Sequence, residues 1–431
     1  MAVTRRHLAI FIEYRYPVTT DDAQTATCGR QDQRVTLTPD RPVARSRRIR
    51  AALFRGPGQP VRVTDVELAP PKAGEVEVAI AAAGVCHSDL HVVLGEWQHP
   101  TPVVLGHEGS GIVTAVGYGV TGPALGDHVV LSWVPACGKC RYCRSGRPAQ
   151  CQLVAEVVAP GGVLYDGTSR LRAGGAVAYH YLGVSSFAER VVVPASGAIQ
   201  VRPDAPLDLV ALVGCAVATG VGAVLNTAKV AAGATVAIIG CGGVGLSCVQ
   251  GARLAGAARI VAVDVVAEKL TLAERLGATD VVHAAHGPVA AALRALVPEG
   301  LDYVFDAIGK IETTEQAIAA LGLGGSAVVV GLPPAGQRAR FDPLALAESD
   351  QRILGSNYGS ITPQRDIPRM VDLFMSGALD LESMVSARRP LAEAAEALSD
   401  LASGRALRQL LICAPPDDEA KGPARRDGLA R

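Results

Sequence analysis

The chain carries no excess of charge of either sign, since 41 lysines and arginines balance 41 aspartates and glutamates. Bulk charge therefore gives no reason to expect nucleic acid or an anionic membrane as partner, and small-molecule chemistry is the default. Long apolar runs are also missing. The most hydrophobic stretches are short and broken by glycine, as in VAIIGCGGVGLSCV, which argues against a membrane-spanning helix. The first residues, MAVTRRHLAIFIEYRYP, pair basic residues with a short apolar run, but no small-residue cleavage pattern follows, so they do not read as a signal peptide. Aromatics make up only 4%, yet with 49% hydrophobic residues a chain of 431 is ample for two domains, each with its own core.

Cysteine is where the chain is rich, with ten. Cys137, Cys140, Cys143 and Cys151 stand at CxxCxxC plus seven-residue spacing in a polar loop, CGKCRYCRSGRPAQC. Four thiolates fill a tetrahedral zinc shell and leave no place for a substrate, so this group reads as a structural site. Cys86, His107 and Cys215 lie far apart, each in its own phrase. Two thiolates and one imidazole leave zinc a fourth position for water or an alcohol oxygen, as a catalytic site requires. Thiol ligands must stay reduced, which favours the cytosol over a disulfide scaffold. Cys28, Cys241, Cys248 and Cys413 are scattered and read as buried or incidental.

Short strand-like runs punctuated by Gly and Pro, such as VRVTDVELAP, EVEVAIAAAG and HVVLSWVP, fill the chain from Arg50 to about Ala195 and predict a β-rich domain. From about Val217 strands and helices alternate: TVAIIG, VGLSCVQGARLAG, RIVAVD, EKLTLAERLG, DYVFDAIG, SAVVVGL. That alternation predicts a parallel sheet covered by helices on both faces. Gly240, Gly242 and Gly245, with Gly243 and Val244 between them, directly follow the first of these strands and open a helix. In that context the glycines permit a tight turn and close approach of backbone to a pyrophosphate at the helix N-terminus. Asp264 ends the next strand, where its carboxylate would accept ribose hydroxyls and repel a 2′-phosphate; Val265 and Val266 after it offer no arginine for such a phosphate. NAD is the expected cofactor.

GVCHSDLH around Cys86, GHEGSGIVTAVG around His107, the cysteine cluster, DGTSR at 166–170, GCAVATG around Cys215 and GCGGVG at 240–245 follow one another in a recognisable order. From about Arg50 to Ile412 the chain resembles the zinc-dependent medium-chain alcohol dehydrogenases in their long form. The resemblance implies an α/β fold: a GroES-like catalytic domain over 49–216 and 358–414, and a Rossmann domain with a doubly wound parallel sheet over 217–357. It implies two zinc ions, one catalytic on Cys86, His107 and Cys215 and one structural on the four clustered cysteines. Relatives begin near Arg50, so residues 1–48 read as a disordered arm or an upstream start chosen in error, and 415–431 as a disordered tail.

Within the family pattern Ser88 resembles the hydroxyl of a proton relay and His91 its outer base. Asp89 is expected to orient His107, and Glu108 to stand near the metal as a structural acid or transient ligand. His87, Lys269 and Arg408 match cofactor contacts, the first and last on the pyrophosphate; Thr219 and Val244 match residues near the nicotinamide. Trp97, Trp133, Tyr181, Leu182, Leu332 and Tyr358 fall where the substrate pocket is lined. These imply oxidation of a small-molecule alcohol, primary and aromatic or medium-chain, to its aldehyde, in a homodimer or homotetramer. Glutathione-dependent formaldehyde dehydrogenase is the competing reading, because it shares CHxD and DGTSR. Against it, the chain has GEWQHPTP in place of that branch's acidic loop and His91 in place of its tyrosine. A catalytically silent zinc and nucleotide-binding protein on the same fold is a further alternative.

Overall fold

The computed structural model describes residues 45–404 and 406–413. The expectations for residues 1–44, Cys28 among them, and for the tail lie outside the described residues.

Strand Arg47–Phe54 runs antiparallel to Arg62–Leu68, pairing Arg47 with Leu68 and Leu53 with Arg62. With Val103–Val104, Leu171–Ala173 and Ala176–His180 these close a small barrel. A second, seven-stranded sheet is centred on Glu75–Gly84, which pairs with Glu108–Val116, Arg190–Pro194 and the late strand Arg408–Ile412. The β-rich part is thus a small barrel together with a second sheet. Leu410 pairs with Gly84, so the end of the described chain returns to this sheet beside the first zinc-ligand phrase.

The third sheet has six parallel strands in the order Asp280–His283, Arg259–Asp264, Thr235–Ile239, Leu301–Asp306, Leu321–Val329 and Arg352–Gly355. Numbered along the chain this is 3-2-1-4-5-6, the doubly wound order, whose reversal beside its first strand opens the crevice where dinucleotides bind. The central strands read as near-continuous apolar runs because both faces are covered: VAII of Thr235–Ile239 is buried throughout. Helix Gly243–Leu254 leaves the first of these strands through the glycine turn, and Ala267–Leu276 follows the second.

Among the described residues no single helix is long and apolar enough to cross a membrane. The apolar segments Leu207–Gly214 and Ala216–Ala228 are bent by 52° at Cys215 and lie largely in the core.

Candidate active site and metal centres

Helix His87–Val93 begins on Cys86, whose extended backbone (φ −128°, ψ 154°) leaves its amide free to be capped by the Asp89 carboxylate at 3.3 Å. Asp89 is fully buried, and it also accepts the Gly106 amide at 2.9 Å and faces His107 Nδ1 at 3.3–3.4 Å. One carboxylate therefore fixes the position of Cys86 and the ring of His107 together. Bonding Nδ1–H to Asp89 assigns the lone pair to Nε2. That atom is buried and has no hydrogen-bond partner in the protein.

The third ligand candidate sits at the bend between two apolar segments, where Cys215 takes non-helical angles (φ −143°, ψ −71°) and starts helix Ala216–Gly222. The Tyr358 hydroxyl donates to the Gly214 carbonyl at 2.6 Å, securing the bend from below. Ligand atoms of Cys86, His107, Cys215 and Glu108 lie within 4.8 Å of one another, all in buried residues. The Cys86 thiol is held well below the ordinary thiol range by its hydrogen bond with Cys215, with burial opposing and His107 assisting. Cys215 is correspondingly driven up. Two clustered sulfurs beside an unpartnered imidazole nitrogen are a donor set suited to a soft divalent cation, and zinc fits it.

Glu108 is fully buried and bonded through one oxygen to Arg408 Nη2, while its other oxygen has no partner. Burial pushes its carboxyl up to about 7 despite the neighbouring guanidinium. Arg408 is itself buried, at the start of the returning strand. Its stem crosses Gly243 so closely that a Cβ there would lie 2.3 Å from Arg408 Cδ, and its Nε is unpartnered. The guanidinium thus reaches both the metal-ligand cluster and the opening of the nucleotide helix.

Cys137, Cys140, Cys143 and Cys151 also gather their sulfurs within 4.8 Å. None of the described cysteines is in a disulfide. The loop turns so that backbone amides face the sulfurs: Lys139 and Cys140 donate to Cys137 Sγ, both at 3.4 Å, Cys143 to Cys140 Sγ at 3.5 Å, and Cys137 to Cys151 Sγ at 3.3 Å. The Cys143 amide is the largest influence lowering the Cys140 thiol to about 6, while burial pushes the Cys143 and Cys151 thiols up. Four thiolates fit a second zinc, with no position left for substrate.

At the glycine turn the three motif residues do different things. Gly240 has φ +97°, and a Cβ on it would meet Ile308 at 2.5 Å; one on Gly245 would lie 1.7 Å from the Gly240 carbonyl oxygen. Gly242 has open space around it. The Asp264 carboxylate accepts the amides of Cys241 at 2.7 Å, Val265 at 2.8 Å and Val266 at 3.0 Å. It is a turn anchor as well as a candidate ribose ligand, and of about four lone-pair positions one remains. Lys269 Nζ donates to the Gly404 carbonyl at 2.7 Å, and Thr219 Oγ1 lies 3.9 Å from Cys215 Sγ. Val244 is partly buried in the helix that opens the turn.

On the other side of the ligand cluster, Ser88 Oγ is 3.9 Å from Cys86 Sγ, and the Ser88 carbonyl accepts the Tyr181 hydroxyl at 2.7 Å. Tyr181, expected in the pocket lining, is only 2% exposed and packs edge-on to His107. Trp133 and Tyr358 pack with ring centroids 4.5 Å apart. Leu182 is half-buried against the first core, and Leu332 is half-exposed on the loop after Leu321–Val329. His87 is exposed at the first turn of its helix. His91 stacks on Trp97 and bonds to Glu96, a residue the sequence reading passed over.

A family profile described as zinc-binding dehydrogenase matches residues 243–376, and one described as the alcohol dehydrogenase GroES-like domain matches 72–204. The S-(hydroxymethyl)glutathione dehydrogenase of Synechocystis sp. is 38% identical over 366 residues, 84% of this chain and 99% of its own. The crystal structure of benzyl alcohol dehydrogenase from Acinetobacter calcoaceticus is 34% identical with a TM-score of 0.81, covering 85% of this chain and 100% of that one. An alcohol dehydrogenase zinc-binding domain protein from Burkholderia ambifaria is 37% identical with a TM-score of 0.82, covering 86% and 100%.

Proposed function

The chain belongs to the zinc-dependent medium-chain alcohol dehydrogenase family, and we propose that it oxidises a primary aromatic or medium-chain alcohol to the aldehyde with NAD, and runs the reverse reaction. The observation that carries this reading is the unpartnered His107 Nε2 set among the Cys86 and Cys215 sulfurs, next to a glycine turn at the crevice of a doubly wound sheet. Zinc held there would supply the Lewis acidity that eases loss of an alcohol proton, which for water lowers the pKa by roughly 9 units, or about 12 kcal/mol.

The residues of the chain do the rest. Asp89 keeps the His107 lone pair directed at the ligand cluster, and Ser88 takes the hydroxyl proton and passes it towards His91. The backbone amides after Gly240 receive the pyrophosphate, aided by Arg408, whose Nε–H is free beside Gly243. The remaining lone pair of Asp264 accepts a ribose hydroxyl, and its charge disfavours NADP. Reduced thiol ligands suit the cytosol.

For the substrate, the rings of Trp133, Tyr358 and Trp97 support an apolar, aromatic alcohol. A cavity of about 210 Å³ beside Trp97 is lined by Phe54, Pro57, Val92 and His99 among others and has no lysine or arginine to receive a carboxylate. The second reading is oxidation of S-(hydroxymethyl)glutathione, supported by the name of the Synechocystis relative. Purified protein assayed for NADH formation with benzyl alcohol and, separately, with formaldehyde plus glutathione decides between them. Turnover of benzyl alcohol that a chelator abolishes is the expected result; preference for the glutathione adduct would establish the second reading. NADH from neither, nor from a wider alcohol panel, with zinc bound, would leave a silent binding protein.

A further inference from the structure

The helix that carries Ser88 and His91 stops in a particular way. Gly95 has φ +74°, its amide bonds to the Val92 carbonyl at 3.1 Å, and the Glu96 amide bonds to the His91 carbonyl at 2.9 Å. This is the Schellman arrangement, in which a left-handed glycine folds the second residue past the helix cap back against the residue three before it. An apolar contact commonly fills that pair of positions. Here they are Glu96 and His91, and the Glu96 carboxylate is hydrogen-bonded to His91 Nδ1. Their side chains are 35% and 17% exposed, so the contact is partly shielded from water.

Trp97 adds a second restraint. Its amide also bonds to the His91 carbonyl, at 3.2 Å, and its ring stacks on the imidazole with centroids 4.4 Å apart and planes 22° from parallel. Its indole N–H reaches the Pro333 carbonyl at 3.5 Å, on the loop after the nucleotide-sheet strand Leu321–Val329. On the helix side the neighbouring ring is His87, 6.5 Å away and tilted by 55°. One face of His91 is covered and one nitrogen is engaged.

We propose that Glu96 is a positioning residue of the proton relay, holding His91 in the tautomer and orientation in which Nε2 accepts the proton. A carboxylate accepts and cannot donate, so the hydrogen is fixed on Nδ1 and the lone pair on Nε2. The substrate proton, arriving through Ser88, adds at Nε2 and leaves from Nε2 to water. Glu96 exchanges no proton. The stacked indole prevents the ring flip that would exchange the two nitrogens. This role rests on the reading of His91 as outer base.

Steady-state kinetics with benzyl alcohol and NAD, or with formaldehyde plus glutathione if that is the better substrate, test it in E96M, E96Q, H91Q and the double variant H91Q/E96M. Methionine keeps the length of the side chain and removes the acceptor; glutamine keeps an acceptor oxygen. E96M is expected to lower kcat about 10- to 100-fold, the usual cost of losing the partner that orients a functional histidine, with the alcohol KM little changed. E96Q should recover most of that loss, and E96M should cost nothing further once His91 is replaced. Wild-type rate in E96M while H91Q is impaired would overturn the proposal. So would an E96Q as poor as E96M, or the same E96M loss in the H91Q background, which marks a merely structural role. A fully active H91Q would overturn the relay reading itself, and the role of Glu96 with it.

Discussion

Replacing two glycines of one motif should separate fold from cofactor. At Gly245 an added Cβ would sit 1.7 Å from the Gly240 carbonyl oxygen, an atom of rigid backbone at a strand end. Side-chain carbons need more than 3 Å from such an atom, so strand and helix must part by over an ångström. Overpacking of this kind costs typically 1–3 kcal/mol and here falls at the upper end, because no flexible side chain can yield. At Gly242 nothing lies within 4 Å, and the backbone (φ −78°, ψ −171°) is open to any L-residue. G242A should therefore leave the cofactor-free protein as stable as before, or more stable by about 0.4–1 kcal/mol through lost unfolded-state entropy. If the space at Gly242 belongs to a pyrophosphate, the same methyl weakens NAD by about 1–3 kcal/mol, roughly 5- to 150-fold in Kd. Thermal melting without nucleotide and titration with NADH followed by fluorescence measure the two effects. G242A that melts as low as G245A, or that binds NADH as tightly as wild type, would refute this division of labour.

The two metal sites should part in the same way. C215S should lose one zinc per chain and all turnover with little change in melting temperature, whereas C140S should lose the other zinc and melt lower; metal analysis with calorimetry checks both. His180 supplies a pH dependence: burial, then the Arg170 guanidinium, push its imidazole down to about 3, and its Nε2 accepts the Arg170 amide at 3.1 Å. The unfolded histidine takes its proton near 6.5 and the folded one only near 3, so its stabilising effect is complete above pH 6.5 and is lost as pH falls towards 3. At about 1.36 kcal/mol per unit, 6.5 minus 3 corresponds to roughly 5 kcal/mol, and H180Q should flatten the fall in urea-denaturation stability between pH 6.5 and 4.

The two clusters of candidate ligands are legible in the sequence because each candidate sits inside its own phrase, and CxxCxxC brings three sulfurs together by local turns alone. The doubly wound sheet was legible because apolar runs, glycine turns and helices alternate with a fixed rhythm. What escaped depends on pairings that spacing does not encode. The split of the β-rich part into a five-stranded barrel and a seven-stranded sheet is set by register between distant strands. Tyr181 reads as one more apolar ring, and only the fold shows its hydroxyl on the Ser88 carbonyl, 93 positions away. Glu96 did carry a local signal: a glycine at the end of a helix foretells the Schellman turn, which places the next residue over His91.

Arg408 and Glu108, 300 positions apart, join the metal cluster to the nucleotide helix, and removing one or both partners should distinguish what the pair does. Both are buried, at 5% and 0% exposure. R408L leaves a buried carboxyl without its hydrogen-bond partner, a change that costs about 1–3 kcal/mol. R408L/E108L removes both charges, and apolar replacement of a buried pair is commonly neutral, so stability in urea should largely return. Cofactor binding should not return with it, because the unpartnered Nε beside Gly243 is lost in both variants. A double variant that regains stability but binds NADH as weakly as R408L assigns the arginine two separable duties. Recovery of NADH binding in the double variant would mean that Arg408 serves the cofactor only by neutralising Glu108, and the anion contact at the helix opening would have to be withdrawn.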